Sequence, residues 1–130
     1  ITAFHNLGVR VSLDDFGTGF SSLAYLSDFP FSKVKIDKKF SQDMGKSLKV
    51  RQIVKGIAQI TRELGIDLVA EGVETHGQLL RILELDINAV QGYYYSKPVV
   101  ASKISALLSA PIIGAAPEVV VSTRSGRRIA

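Results

Sequence analysis

The chain of 130 residues contains no cysteine and only two histidines. The absence of cysteine excludes a disulfide framework and any zinc site built on thiolates. The two histidines, His5 and His76, lie far apart without the spacing of metal ligands, so we expect each at the surface or at a helix end. A metal site in this chain therefore has to be built from oxygen ligands.

The chain also carries little net charge. Its formal charge is +4, and half of that comes from the last twenty residues, which contain three arginines and one glutamate. The remaining charge on residues 1–110 is too small to indicate binding to a DNA or RNA polymer. We therefore expect no nucleic-acid polymer among the partners.

A long uninterrupted apolar run is missing as well. The apolar segment from Ile104 to Val121 is interrupted by Pro111, Pro117 and Glu118, and no secretory signal is visible at the amino end. Together with the absence of cysteine, these features predict a cytoplasmic chain without a membrane segment. Any membrane-anchored sensor domain would then lie upstream of this sequence.

The most informative stretch is Asp-Asp-Phe-Gly-Thr-Gly-Phe-Ser-Ser-Leu, residues 14–23. The alternating apolar segment 9–13 precedes it and predicts a strand that ends at the two aspartates. The two glycines suit a tight loop, and the two serines suit the cap of the following helix. This order is typical of a metal or phosphate site at the carboxyl end of a parallel strand, although Asp and Gly are also ordinary turn residues.

The rest of the chain repeats the order of strand, loop and helix. After a helix end at 1–8, further strands are predicted at 33–37, 66–70 and 89–95, and helices at 50–64, 75–83 and 102–110. Strand spacings of roughly 20 to 35 residues suit parallel crossovers. Each strand brings polar groups to its carboxyl end: Asp14 and Asp15, Lys35 and Asp37, Glu71 and Glu74, and Gln91. Because these ends meet at one face of a parallel sheet, we expect a shared site.

Carboxylates at strand ends, without thiolate or imidazole partners, favour magnesium, manganese or calcium. Two such ions about 4 Å apart can share a bridging carboxylate, activate a water and stabilise a leaving oxygen in phosphoryl hydrolysis. Lys35 either adds positive charge where phosphate charge develops or forms salt bridges with the nearby aspartates, and the two functions are compatible.

Four motifs also carry a family resemblance: DDFGTGFSSL from Asp14, KIDKKF from Lys35, AEGVET from Ala70 and QGYYYSKP from Gln91. In this order and spacing the chain resembles, over about residues 1–110, the carboxyl half of an EAL domain, the cyclic-di-GMP phosphodiesterase family. The resemblance implies an α/β fold that forms the last four βα units of a partial (β/α)8, TIM-type barrel. We expect residues 111–130 to be a disordered basic tail.

The resemblance also implies roles for the residues at the strand ends. Asp14 would be a metal ligand that bridges two ions, and Asp15 would serve the second ion. Glu71 would be a ligand of the second ion or the general base. Lys35 would hold the attacking water or a phosphate oxygen. The cofactor would be Mg²⁺ or Mn²⁺ at a two-metal site that is incomplete in this chain.

Further residues are assigned in the same way. Glu74 would orient the loop after the acid pair, and Gln91 would help to position metal-bound water or the nucleotide. Asp37 and Lys97 would be structural. For the tyrosines at 93–95 we favour packing of the strand exit over base stacking.

The sequence departs from the family in one respect. The Glu-Ala-Leu motif, an asparagine ligand and another glutamate ligand belong to the amino half of the family's domain, and these residues have no counterpart here. We therefore expect the chain to be an excerpt of a longer protein or a gene fragment. One hypothesis is the catalytic half of an enzyme that opens cyclic di-GMP to linear pGpG and is inactive alone. The alternative is a regulatory fragment that binds nucleotide or pairs with another EAL domain without hydrolysis. On either hypothesis the expected partners are cyclic di-GMP and a second EAL domain, either as a homodimer or as a pair with another protein.

Overall fold

The computed structural model describes residues 1–19 and 23–109. The chain divides into two compact units, Ile1–Lys97 and Pro98–Ala130. The described elements of the first unit are α1 (Thr2–Asn6), β1 (Ser12–Phe16), α2 (Ala24–Asp28), β2 (Lys33–Ile36), α3 (Lys38–Asp43), α4 (Leu48–Glu63), β3 (Asp67–Ala70), α5 (His76–Leu83) and β4 (Ala89–Val90). In the second unit a short 3-10 turn (Ala101–Lys103) leads into α6 (Ile104–Ser109).

The first unit is built on a parallel sheet of four strands in the order β1-β2-β3-β4. Helical segments connect the strands, as parallel crossovers require. The register places Val34 beside Leu68 and Ile36 beside Ala70. The predicted parallel α/β arrangement, with its four strands in sequence order, is confirmed.

One face of the sheet packs against the helices and forms the hydrophobic core. On β2, Val34 and Ile36 are completely buried, whereas Lys33 and Lys35 alternate with them and point to the opposite face. From the helices, α4 contributes Val54, Ile57 and Ala58, and α5 contributes Leu79 and Ile82. Burial of one such aliphatic side chain stabilises the fold by about 2 kcal/mol. The core therefore lies on one side, and the other face of β2 is left to charged residues.

The two longest crossover helices, α4 and α5, correspond to the helices predicted at 50–64 and 75–83, but α4 begins two residues earlier than predicted. The Ser47 hydroxyl accepts a hydrogen bond from the Val50 amide at the start of α4, and Gly65 follows the end of α4 with a φ of +68°. At α5, Thr75 and Gln78 form a capping box. The apolar residues of α4 and its C-cap recur at helical spacing and form a stripe, in which Val54 and Ile57 are buried whereas Ile53, Ile60 and Leu64 are exposed. The stripe is thus wider than the face that packs on the core.

The boundaries of two predicted strands need correction. The first strand begins at Ser12 and continues beyond the acid pair to Phe16, whereas the sequence predicts a strand that starts at residue 9 and ends at the two aspartates. The fourth strand contains only Ala89 and Val90, because the chain turns at the glycine and tyrosines that follow. The sequence analysis also missed α3, whose N-cap is Asp37.

Two predictions fall outside the described residues. The capping serines, Ser21 and Ser22, belong to the undescribed segment 20–22, and the basic tail 111–130 lies beyond residue 109. The assignment of residues 1–110 to one domain stays a prediction. Within the part of the chain that the structure describes, none of the helices has the length and apolar character needed to cross a bilayer.

We expect the 130-residue chain to self-associate. The sheet has two edges, β1 and β4, each with a single paired neighbour among the described strands, and such edges present unpaired backbone groups. The apolar strand residues are covered by helices, so the exposed apolar surface lies elsewhere, notably at Phe4 and Leu7 of the α1 segment. Size-exclusion chromatography with light scattering should show species larger than a monomer. A monomer at every concentration, with cooperative melting, would contradict this expectation.

Candidate active site

A bulge in β1 sets the position of the acid pair. Leu13 lies beside Val34 and Phe16 beside Ile36, so the register shifts between them and two aspartates, Asp14 and Asp15, face the single residue Lys35. An extra residue in one strand is a β-bulge, which bends the strand and turns its side chains. Asp15 has a φ of 52°, in the left-handed region that Asp tolerates better than most residues. The bulge thus brings two consecutive carboxyl groups to one strand end.

Lys35 connects carboxylates from two neighbouring strands. Its Nζ lies 3.0 Å from Asp14 Oδ1 and also forms an ion pair with Glu71, the residue after β3. The side chains of Lys35 and Glu71 are 21% and 16% exposed, whereas that of Asp14 is 64% exposed. The hydrogen bond to Glu71 is the main cause that raises the pKa of Lys35, with a smaller contribution from Asp14, while burial opposes the increase. The lysine is therefore a fixed positive charge at neutral pH.

Three carboxylates gather around this lysine. Asp14, Asp15 and Glu71 each offer an oxygen, and the three oxygens lie within 4.8 Å of one another. Their charges and that of Lys35 leave a formal charge of −2 on the cluster. Carboxylate oxygens are the donors that Mg²⁺ and Mn²⁺ prefer. The residues present therefore fit a divalent metal ion.

The other two predicted site residues lie on the adjoining loops. The backbone amide of Gln91 donates a hydrogen bond to the Ala70 carbonyl at 2.8 Å, and the backbone amide of Glu74 donates one to Gln78 Oε1 at 2.8 Å. Both side chains are on exposed residues, and neither belongs to the carboxylate cluster. The structure thus brings four of the predicted site residues together, namely Asp14, Asp15, Lys35 and Glu71. Glu74 and Gln91 lie on the loops beside this cluster, and the contacts described for them are made by their backbone.

The residues predicted to be structural have clear contacts. The Asp37 carboxylate caps α3 by accepting a hydrogen bond from the Lys39 amide at 2.8 Å. The Lys97 ammonium lies 5.8 Å from the centre of the Tyr93 ring, which is compatible with a cation-π contact. Tyr94 and Tyr95 pack against the core, and burial raises the pKa of Tyr95. The prediction of packing is confirmed for these last two tyrosines.

Two glycines that hold the site loops were not identified from the sequence. Gly72, with a φ of +66°, follows Glu71 and leaves no space for a Cβ beside Lys38. Gly92 follows Gln91, and a Cβ there would collide with the backbone of Val73. The signal was present in AEGVET and QGYYYSKP, where each glycine directly follows a candidate site residue.

The sequence of the chain matches a known protein family. The model of the EAL domain matches residues 1–98. The chain belongs to the EAL domain family. Among its relatives, the cyclic di-GMP phosphodiesterase RocR of Pseudomonas aeruginosa is 39% identical over 92 residues, which are 71% of this chain and 24% of RocR. The prediction that the chain belongs to a family of cyclic-di-GMP phosphodiesterases is therefore confirmed.

Solved EAL structures share the fold. The EAL domain of Mycobacterium smegmatis DcpA superposes with a TM-score of 0.77 and 39% identity, covering 82% of this chain and 48% of that one. The calcium and cyclic-di-GMP complex of Klebsiella pneumoniae BlrP1 gives a TM-score of 0.71 at 34% identity, covering 75% and 25%. This EAL chain therefore spans less than half of each of these relatives. Its four-stranded sheet is a part of the TIM-type barrel, as predicted.

We expect Gly92→Ala to destabilise this EAL chain by about 3 kcal/mol, because the new methyl group would meet backbone atoms that cannot rotate away. Gly56→Ala is the matched control: Gly56 lies inside α4, its Cβ would contact nothing within 4 Å, and alanine should stabilise the helix by about 1 kcal/mol. Urea denaturation at one fixed protein concentration measures both. Equal effects of the two substitutions would show that the loop at Gly92 is not tightly packed.

Proposed function

We propose that this EAL chain supplies the carboxylate and lysine groups that hydrolyse cyclic di-GMP to linear pGpG. The single observation that supports this proposal is the cluster of Asp14, Asp15 and Glu71, whose oxygens lie within 4.8 Å of one another beside Lys35. Hydrolysis of a phosphodiester needs a region that attracts divalent cations next to a group that neutralises phosphate charge.

Each residue takes a role that its position allows. Asp14, Asp15 and Glu71 would hold Mg²⁺ or Mn²⁺, which supplies an activated water and stabilises the leaving oxygen. As an alternative to binding the metal, Glu71, the least exposed of the three, would act as general base. Lys35 interacts with a phosphate oxygen or the attacking water through its ammonium group. Glu74 orients the loop after the acid pair, and Gln91 helps to position the nucleotide.

The relatives support the choice of substrate. RocR is named a cyclic di-GMP phosphodiesterase, and the BlrP1 complex contains cyclic di-GMP and calcium. We extend both properties to this chain as a proposal, with the cytoplasm as the site of action and with dimerisation or pairing to another EAL domain as its assembly. Nucleotide binding without hydrolysis is the alternative that the assays below exclude or support.

Substitutions in a chimera test the assigned roles. In the chimera, residues 1–98 replace the matching segment of RocR. We expect Asp14→Asn and Glu71→Gln to reduce turnover at least about a thousandfold, since each removes a negative charge from the cluster. Lys35→Ala should reduce kcat to a similar degree while cyclic di-GMP still binds, because its charge matters most as phosphate charge develops. Formation of pGpG is the measurement.

Two substitutions serve as matched controls. Lys33→Ala removes a lysine from the same face of β2, two residues before Lys35, and Glu63→Gln removes an exposed carboxylate from α4. Neither is part of the cluster, so both should keep most of the activity. If Lys35→Ala retained as much activity as Lys33→Ala, the function of Lys35 would be structural.

The 130-residue chain alone should not hydrolyse cyclic di-GMP at a useful rate. It contains no Glu-Ala-Leu sequence, and the family resemblance places further metal ligands beside that motif. An assay with Mn²⁺ that follows pGpG decides the question. Turnover near a typical rate of about 10 per second would show that these residues suffice by themselves.

A further inference from the structure

The loops that follow β3 and β4 are connected beyond the sheet. The Val73 amide donates to the Gln91 carbonyl at 3.1 Å, and the Tyr94 amide donates to the Val73 carbonyl at 2.9 Å. Gly92 packs so closely on Val73 that a side chain would not fit. The segment that begins with Glu71 and the segment that begins with Gln91 therefore share one backbone contact region.

A side-chain hydrogen bond joins the same two segments a second time. His76 is the first residue of α5, and its Nδ1 lies 2.9 Å from the Tyr94 hydroxyl. Tyr94 is partly buried, packs against the core and meets the Tyr95 ring edge-on at 5.4 Å. Since a tyrosine hydroxyl can both donate and accept, it pairs with either protonation form of the histidine. The ring of Tyr94 is thus a fixed support for the start of α5.

The start of α5 in turn holds the loop that carries the acidic residues. Gln78 Oε1 accepts hydrogen bonds from the amides of Glu74 at 2.8 Å and Thr75 at 2.9 Å. The backbone of Glu74 is therefore tied to α5, and α5 is tied to Tyr94 through His76. Glu71 lies at the other end of this short loop, directly after β3.

We infer that the His76–Tyr94 hydrogen bond is a positioning contact for the active site. It rests on the proposed function: the contact fixes the loop of Glu71 and Glu74 against the turn of Gln91, so that the carboxylate of Glu71 keeps its place beside Lys35. Neither His76 nor Tyr94 belongs to the carboxylate cluster. Both act indirectly, through the positions of Glu71, Glu74 and Gln91.

Tyr94→Phe is the decisive substitution because it removes only the hydroxyl group and keeps the packed ring. In the RocR chimera we expect kcat to fall about fivefold to tenfold, the loss of roughly one hydrogen bond, with KM changed by less than about twofold. Mn²⁺ affinity should fall about fivefold, since partners beyond the ligands tune metal binding. His76→Ala should have the same effect, and the double variant should be no worse than either.

Two controls separate positioning from general loss of stability. Tyr25→Phe makes the same change on α2, where the ring packs on Phe29, and should leave kcat unchanged. His76→Asn keeps a hydrogen-bonding group near the position of Nδ1 and should restore most of the activity. Amide hydrogen exchange on the 130-residue chain should show faster exchange at 71–75 and 91–96 in Tyr94→Phe, with α4 unchanged.

The outcomes distinguish this inference from the proposed function. Faster exchange in both loops with unchanged kcat and unchanged Mn²⁺ affinity would overturn the positioning role, as would unchanged exchange. An unmodified chimera that binds Mn²⁺ without forming pGpG would count against the proposed function alone. The positioning role is then decided by Mn²⁺ affinity and exchange.

Discussion

The contacts of Lys35 with Asp14 and Glu71 are the interaction on which the site depends. Three carboxylates within 4.8 Å of one another repel, by roughly 4 kcal/mol per pair at 4 Å in the dielectric typical of a protein surface. Solvent reduces that value at Asp14 and Asp15, which are both exposed. Lys35 offsets part of the repulsion because it stands between two of the strands that carry the acids. The ammonium group thus allows the acidic cluster to exist while leaving the negative charge that attracts a divalent cation.

The backbone provides the second requirement, which is close approach of the loops. At the bulge in β1, Asp14 and Asp15 lie opposite the single residue Lys35. Gly72 lets its loop lie against Lys38, and Gly92 lets its loop lie against Val73. A side chain at either glycine would push Glu71 or Gln91 away from the strand ends. The unusual backbone conformations therefore lie at, or directly beside, the residues of the candidate site. Functional sites commonly contain such backbone geometry.

The sequence predicted the order of the four strands and the residues of the cluster, because alternation, capping and strand-end acids are local signals. It did not predict that Asp14 and Asp15 lie inside β1, since a bulge depends on pairing with β2. Strand β4 is shorter than its apolar pattern suggested because Gly92 and the tyrosines form a turn packed on Val73. The contact of His76 with Tyr94 joins residues eighteen positions apart, and no periodicity indicates such a pair.

The separation of core and site follows from the period of two along each strand. On β2, Val34 and Ile36 pack into the core while Lys35, between them, points to the charged cluster. A shift of one residue in register would bury the lysine and expose both aliphatic side chains, so the packing that stabilises the sheet also fixes the direction of the ammonium group. The bulge in β1 acts within that constraint: it adds a second aspartate opposite Lys35 and still returns Phe16 to the buried face beside Ile36. The acid pair is therefore compatible with the core only because the strand carries one extra residue.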